Sequence, residues 1–338
     1  MESVGRLVMT EVEAPVLSGP DQVLVQVAHV GICGSEVHAF EGTHPYRRPP
    51  AVLGHEMAGI VTETGENVSR FQVGDRVIID PQWTCGECDY CLSGQINRCP
   101  SKLVLGTPQW PGAFGEFVLA PEESVFPLPD HLSFVQGAMV EPLTVAVHVA
   151  RQAQLEAGQA VAILGTGSIG GMVSGVCRAM GAGPIITADI HQHCLDAARE
   201  RLGATHDFLL PDEDFVDKVY EATGNKGVDV AFITGDDPGL VKLGLDLVKR
   251  GGRVVLVALL TESPLNLWAY DLIGTEKQLI GSNMATHADV QQAIELAASG
   301  QVDVEGIVTH ILPLEEAQRG MEMAHSKEDA AIKVILEF

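Results

Sequence analysis

The sequence predicts an α/β protein: a doubly wound parallel sheet joined to a β-rich half of barrel-like or sandwich type. Three observations predict it. The first ~140 residues carry short apolar runs punctuated by Gly and Pro, the pattern of many short strands separated by turns. From about Leu143 strand-like and helix-like segments alternate, which calls for parallel strands linked by crossover helices. A glycine-rich turn, Gly165-Thr-Gly167-Ser-Ile-Gly170, joins the first strand and helix of that alternation.

In the N-terminal half the expected strands are Val23–Val30, Met57–Thr64, Arg76–Asp80 and Phe114–Ala120. Beyond it, Val161–Leu164 leads into a helix from Gly167 to Gly181. Ile185–Asp189 leads into a helix running through Leu202, and Val228–Thr234 into Leu240–Val248. Arg253–Leu259 is a further apolar run; helices His287–Ser299 and Leu314–His325 and a strand Ala331–Leu336 follow. Ala160 to Cys177 is uncharged and nominally long enough to span a bilayer. Its five glycines and its short leading run AVAILG favour a strand, a turn and a helix instead.

Of the 338 residues 46% are apolar and 20% charged, which suits packed soluble domains, and the formal net charge of −24 disfavours nucleic acid, because phosphate binding needs a Lys/Arg footprint. No basic stretch followed by an apolar core and a cleavage site opens the chain, so a cytoplasmic protein without a membrane partner is expected.

Four of the seven cysteines, Cys85, Cys88, Cys91 and Cys99, form CxxCxxCx7C. Four thiolates make a closed tetrahedral zinc site that folds a lobe lacking its own core; an iron–sulfur cluster or uncommitted thiols are the competing readings. Cys177 and Cys194 lie in helical patterns and are read as packing residues. In the glycine-rich turn, Gly165, Gly167 and Gly170 let a pyrophosphate approach the N-terminus of the helix. Asp189 ends the next strand, where a carboxylate accepts hydrogen bonds from the adenosine ribose and repels a 2′-phosphate. The expected cofactor is therefore NAD rather than NADP.

The remaining metal-type residues fall in GICGSEVH (31–38), GHE (54–56) and Glu141-Pro142. Each alone has an ordinary explanation: a core thiol, a turn, an exposed acid. Together they supply a thiolate, an imidazole and carboxylates, the donors of a zinc site with an open position.

These segments, with LGHEMAGIV, VGDRV, GAFGEFV, EPL, GTGSIG and the closing AAIKV, resemble the zinc-containing branch of the medium-chain dehydrogenase/reductase superfamily, particularly its polyol (sorbitol-like) dehydrogenases, over nearly the whole chain. The resemblance implies a GroES-like catalytic domain from residues 1–143 and 283–338, carrying the zinc lobe 85–99. A Rossmann NAD-binding domain, residues 144–282, is inserted between them, with the active site in the cleft. It implies two zinc ions per chain and a homo-oligomer, tetramer or dimer. Cys33, His55 and Glu56 would ligate the catalytic zinc, and Glu141 would ligate it or hold its water. Ser35 would accept the substrate hydroxyl proton and pass it through the cofactor ribose to His38. Ile169 would pack on the cofactor, and Val257, Ala258, Leu259, Ser282, Asn283 and Met284 would line its nicotinamide half.

Ordinary alcohol dehydrogenases of the superfamily have Cys at the place of Glu141, so the carboxylate points to the polyol branch. The expected reaction is hydride transfer between a secondary alcohol of a polyol or sugar derivative and NAD. The alternatives are 2,3-butanediol, threonine and sugar-acid (idonate-like) dehydrogenases. A non-catalytic NAD-binding or sensing protein is the alternative of another class, disfavoured by the intact ligand set. The chain departs from the family pattern in places. Glu36 replaces the usual Asp that orients the zinc-bound histidine. Cys194 replaces a basic residue after the ribose-binding acid, and about Met284 an arginine near the substrate is missing. Arg47 and Arg48, before Pro49-Pro50 and near GHE, could meet a carboxylate or phosphate, but a solvated loop pair is the favoured expectation.

Overall fold

A computed structural model describes residues 1–260, 265 and 267–338. The chain divides into two compact units: Met1–Glu141 with Ala285–Ala298 and Val308–Phe338, and Pro142–Met284 with Ser299–Ile307. The sequence assigns all of 283–338 to one domain, whereas the stretch Ser299–Ile307 packs within the second unit. Glycines on the helix Ser168–Ala179 make room for it: a Cβ added at Gly175 would lie 2.8 Å from Val302, and one at Gly171 3.0 Å from Ile307.

The first unit is built on a seven-stranded sheet. In spatial order its strands are Val308–Pro313, Lys333–Glu337, Gln22–Gly31, Glu56–Thr64, Arg76–Ile79 and Val125–Pro127, with Phe117–Pro121 also paired to Gln22–Gly31. Only the first pair is parallel. Gln22–Gly31 takes three partners because two of them divide its length: residues 22–26 pair with Phe117–Pro121, and residues 29–31 pair with the end of Lys333–Glu337. Its alternate valines Val23, Val25 and Val27 are buried in the core, as the period of a strand dictates. At the end of the strand Gly31 lies opposite both Glu56 and Ile335. That register carries the chain directly into Cys33, beside Glu56 and Lys333.

The second unit has a six-stranded parallel sheet, in spatial order His206–Leu209, Ile185–Asp189, Val161–Leu164, Val228–Ile233, Val248–Leu256 and Gln278–Gly281. Numbered along the chain this is 3-2-1-4-5-6, the doubly wound dinucleotide-binding order. Of the four central strands, Ile185–Asp189, Val161–Leu164 and Val228–Ile233 are buried almost throughout and match the segments expected from sequence. Val248–Leu256 starts five residues before the expected run Arg253–Leu259, with exposed Lys249, Arg250 and Gly251 in its first half. His206–Leu209 and Gln278–Gly281 are half-exposed edge strands, without the continuous apolar run that reveals a buried parallel strand. Ala160 to Cys177 resolves into the strand Val161–Leu164, the turn and most of a helix. Among the described residues no helix is long and apolar enough to cross a membrane.

The turn depends on two glycines. Gly165 has φ +95°, and a Cβ on Gly170 would lie 2.0 Å from the Gly165 carbonyl oxygen, so the helix can close on the strand only with hydrogen there. Gly167 has open space around its missing Cβ. Gly170→Ala is accordingly expected to cost about 1–3 kcal/mol of stability. Gly167→Ala should leave the melting temperature unchanged while weakening dinucleotide binding. Calorimetry and a cofactor titration of the two variants check this pair, and equal stabilities would contradict it.

Candidate active site and metal centres

The four cysteines of the 85–99 lobe converge. Their sulfurs lie within 4.8 Å of one another, with separations of 3.5 Å for Cys88–Cys91, 3.6 Å for Cys85–Cys99 and 3.9 Å for Cys85–Cys91. A tetrahedron with Zn–S bonds of about 2.3 Å has edges of about 3.8 Å, so the thiols already stand at the spacing a zinc ion requires. The backbone amides of Glu87 and Cys88 hold the Cys85 thiol down at about 7, which favours the thiolate a metal needs.

The second cluster is assembled from four places in the first unit. Cys33 precedes the helix Gly34–Glu41, which carries Ser35, Glu36 and His38. His55 and Glu56 open the strand Glu56–Thr64, and Glu141 sits in the first turn of the helix Val140–Gln152. Ligand-type atoms of Cys33, Glu36 and His55 lie within 4.8 Å of one another, as do those of His55, Glu56 and Glu141. The two groups share His55.

Glu36, Glu56 and His55 are buried, where an unpaired charge is costly, and two of the three carboxylates have cations of their own. Lys333, itself 1% exposed, places Nζ 2.8 and 2.7 Å from the two oxygens of Glu56 and donates to the Ile32 carbonyl at 3.0 Å. Burial pulls the Lys333 ammonium down, but Glu56, Cys33 and Glu36 together outweigh it and hold the group above the usual lysine range. The pair fits because residue 31 is glycine: a Cβ there would lie 2.1 Å from Glu56 Oε2.

Glu36 is paired with Arg47. Its Oε1 accepts from Arg47 Nη1 at 3.0 Å and lies 2.5 Å from His55 Nδ1, while Oε2 accepts from the Cys33 amide at 2.8 Å. Burial would raise Glu36, but His55, Arg47 and the amide prevail and hold it at about 2. With Nδ1 donating to Glu36, His55 keeps Nε2 as its ligand atom. Arg47 thus contradicts its expectation: it is buried, not solvated, because its charge is needed inside. Arg48 is exposed, as expected, and reaches only the Gly42 carbonyl.

Glu141 has no hydrogen-bond or ion-pair partner among the described residues. Desolvation and then the neighbouring Glu56 carboxylate push it well above the usual carboxylate range. The same two causes push the Cys33 thiol up to about 12. An orphaned carboxylate, a thiol that becomes a ligand by losing its proton, and an imidazole with its back nitrogen tied form a donor set that fits zinc. Lys333 escaped the reading of the sequence, although a lysine inside the apolar run AAIKVIL was an available signal. Arg47 was singled out but read as solvated, and Gly31 was quoted only as part of GICGSEVH.

Ser35 accepts from Arg47 Nη1 at 2.9 Å, and His38 lies within the same short helix. In the second unit Asp189 is fixed at the end of its strand: Oδ2 accepts from the Thr166 amide at 2.6 Å and Oδ1 from the His191 amide at 2.8 Å. Gly165 and Gly167 precede the helix N-terminus, which Ser168, Ile169 and Gly170 open. Val257 and Ala258 follow the strand Val248–Leu256 and turn their amides onto the Ile233 carbonyl. Leu259 continues that loop, and Ser282 and Asn283 follow the strand Gln278–Gly281.

A doubly wound dinucleotide domain, a closed four-thiol site and an open S/N/O site define a metal-dependent dehydrogenase. Residues 19–130 match the family model of the alcohol dehydrogenase GroES-like domain, and residues 168–299 that of the zinc-binding dehydrogenases. The chain belongs to the zinc-dependent medium-chain dehydrogenase/reductase superfamily, in its polyol dehydrogenase branch. It is 36% identical over 321 residues to sorbitol dehydrogenase of Bacillus subtilis, covering 94% of this chain and 90% of that protein. It is 37% identical over 322 residues to D-arabitol-phosphate dehydrogenase of Enterococcus avium, with the same coverage. A zinc-binding dehydrogenase structure from Sinorhizobium meliloti 1021, solved with NADP, superimposes with a TM-score of 0.92 at 31% identity, over 100% of this chain and 97% of that one.

The thiol lobe lacks any other reason for its sulfurs to converge, so Cys88→Ser should lower the melting temperature and reduce zinc to one ion per chain. Calorimetry with metal analysis checks this; unchanged stability would remove the structural role.

Proposed function

We propose that the protein oxidises a secondary hydroxyl of a polyol or related sugar derivative with NAD, using a catalytic zinc at Cys33, His55 and Glu141. The observation that carries this reading is the charge pattern of the buried site. Glu36 is matched by Arg47 and Glu56 by Lys333; Glu141 and Cys33, both pushed up by burial and by Glu56, are left to ionise against a bound cation. Two uncompensated anions beside an imidazole are what a divalent cation neutralises. Glu141 is then the permanent ligand, and Glu56, tethered on both oxygens by Lys333, is the carboxylate held in reserve.

Bound zinc supplies a Lewis acid that lowers the pKa of the substrate hydroxyl, and nicotinamide takes the hydride. The residues of the chain do the rest. Ser35 receives the substrate proton and His38 is its outlet. Asp189, anchored by two amides, takes the ribose hydroxyls; the NADP found in the Sinorhizobium protein is disfavoured here by the charge of that acid. Cofactor and substrate are tested together by screening polyols, diols, amino-alcohols and sugar acids for NADH formation, with NADP+ as the comparison. Faster turnover with NADP+, or no turnover of any polyol, would reject the respective half of the proposal.

The two carboxylates separate by metal content. Glu141→Gln should lose the catalytic zinc and nearly all activity while keeping the fold. Glu56→Gln should leave Lys333 as an unpaired buried cation and destabilise the protein by about 3–5 kcal/mol, with more of the zinc retained. Metal analysis and calorimetry of both variants decide, and a Glu141 variant with full zinc and activity would refute the assignment.

A homo-oligomer, dimer or tetramer, is also proposed. Gln278–Gly281 leaves one sheet edge open, and Trp268, Tyr270 and Ile273 nearby in sequence are 68%, 61% and 74% exposed. Such edges and patches are normally covered. A monomer mass by light scattering would reject this part.

A further inference from the structure

Glu36 lies beside Cys33 and His55, two of the residues that would hold the metal, and the structure ties both of its oxygens to donors on the Nδ1 side of His55. One ligand atom from each of Cys33, Glu36 and His55 lies within 4.8 Å of the others. A glutamate, one methylene longer than the aspartate usual in the resembling family, could therefore complete the wrong ligand set. Its oxygens are instead fully engaged. Oε1 accepts from His55 Nδ1, from Arg47 Nη1 and, at 3.2 Å, from the Gly54 amide; Oε2 accepts from the Cys33 amide.

Of the four donors, Arg47 is the one that carries a permanent charge. It is 3% exposed, and Nη2 is anchored on the Leu105 carbonyl at 3.1 Å. Nη1 lies 2.9 Å from His55 Nδ1, but a nitrogen donating to Glu36 cannot also accept, so the partners of Nη1 are Glu36 and Ser35. The guanidinium fork can serve both from a fixed plane, as a lysine could not.

We propose that Arg47 is the positioning residue that decides the role of Glu36: it holds the carboxylate as the acceptor behind His55, keeps it from becoming a metal ligand, and with the same nitrogen fixes the Ser35 hydroxyl. The proposal rests on the reading of Cys33 and His55 as metal ligands. A carboxylate released into the coordination sphere would add an anion and occupy the open position, weakening the Lewis acid.

The test uses cobalt-substituted enzyme, whose visible bands report the ligand set, together with kcat. Arg47→Met should shift the cobalt spectrum and lower kcat by about 10–100-fold, the range for groups that orient metal ligands. Adding Glu36→Asp should restore the spectrum and most of kcat, because the shorter acid binds His55 without reaching the metal. A merely structural arginine would not be rescued in this way. An unchanged spectrum and kcat in Arg47→Met, or a loss that Glu36→Asp leaves uncorrected, overturns the proposal. Should Arg47→Met be insoluble, Glu36→Asp with and without Arg47→Met decides: agreement within about threefold in kcat supports it, and a further loss of about tenfold or more overturns it. Wild-type protein that binds no second metal beyond the thiol lobe would sink the underlying reading and this proposal with it, whereas a normal second metal with an indifferent Arg47 sinks the proposal alone.

Discussion

The buried pair of Lys333 and Glu56 is the constraint on which the first unit depends. It joins residues 277 positions apart, at the end of Gln22–Gly31 where that strand runs between Glu56–Thr64 and Lys333–Glu337. Removing either partner leaves a full charge in a place closed to water, a penalty far larger than the net worth of the pair itself. The register that sets Gly31 against Glu56 and Ile335 is therefore also the register that neutralises the site. A slip by one residue would turn the lysine to the other face of the sheet and strand both charges.

The same logic organises the rest of the cluster. Three carboxylates, a thiol and an imidazole crowd a small buried volume, and such a group is stable only if its charges cancel locally. Arg47 and Lys333 cancel two carboxylates with hydrogen bonds of good length, and each leaves its carboxylate hydrogen-bonded rather than free. What remains is the charge of one divalent cation. The donor chemistry and the charge count thus give the same answer by separate routes, and neither depends on knowing the substrate.

How much of this could be read in the sequence follows from distance along the chain. The thiol lobe and the glycine turn were legible because all their parts lie within a few residues, so spacing alone encodes geometry. Cys33, His55, Glu56 and Glu141 were legible as a donor set, and their division into ligands came only from resemblance. Arg47 was misread because its loop has an ordinary polar composition, while its partners, Glu36 and the Leu105 carbonyl, are brought to it by the fold. Lys333 was passed over although a lysine in a buried strand demands an anion; the sequence names no partner for it. The edge strands His206–Leu209 and Gln278–Gly281 were missed because half-exposed strands do not carry the apolar runs of the central ones.

On the proposed reading a neutral alcohol would give up a hydride to the nicotinamide and a proton to the protein on becoming a neutral carbonyl, so the chain's own residues have a proton to pass to solvent. The helix Gly34–Glu41 grades outward for that purpose. Ser35 touches Arg47 at the inner end. Half-buried His38 has Nδ1 3.2 Å from Thr43 Oγ1 and 3.5 Å from Glu41 Oε2. Glu41 in turn lies 2.9 Å from His325, whose side chain is 47% exposed. A carboxylate with a histidine on either side is a sequence of groups chemically able to take up and release a proton. On that reading the short helix carries its proton-handling groups from Ser35 beside Arg47 at the inner end to His38 and Glu41 beside half-exposed His325 at the outer end.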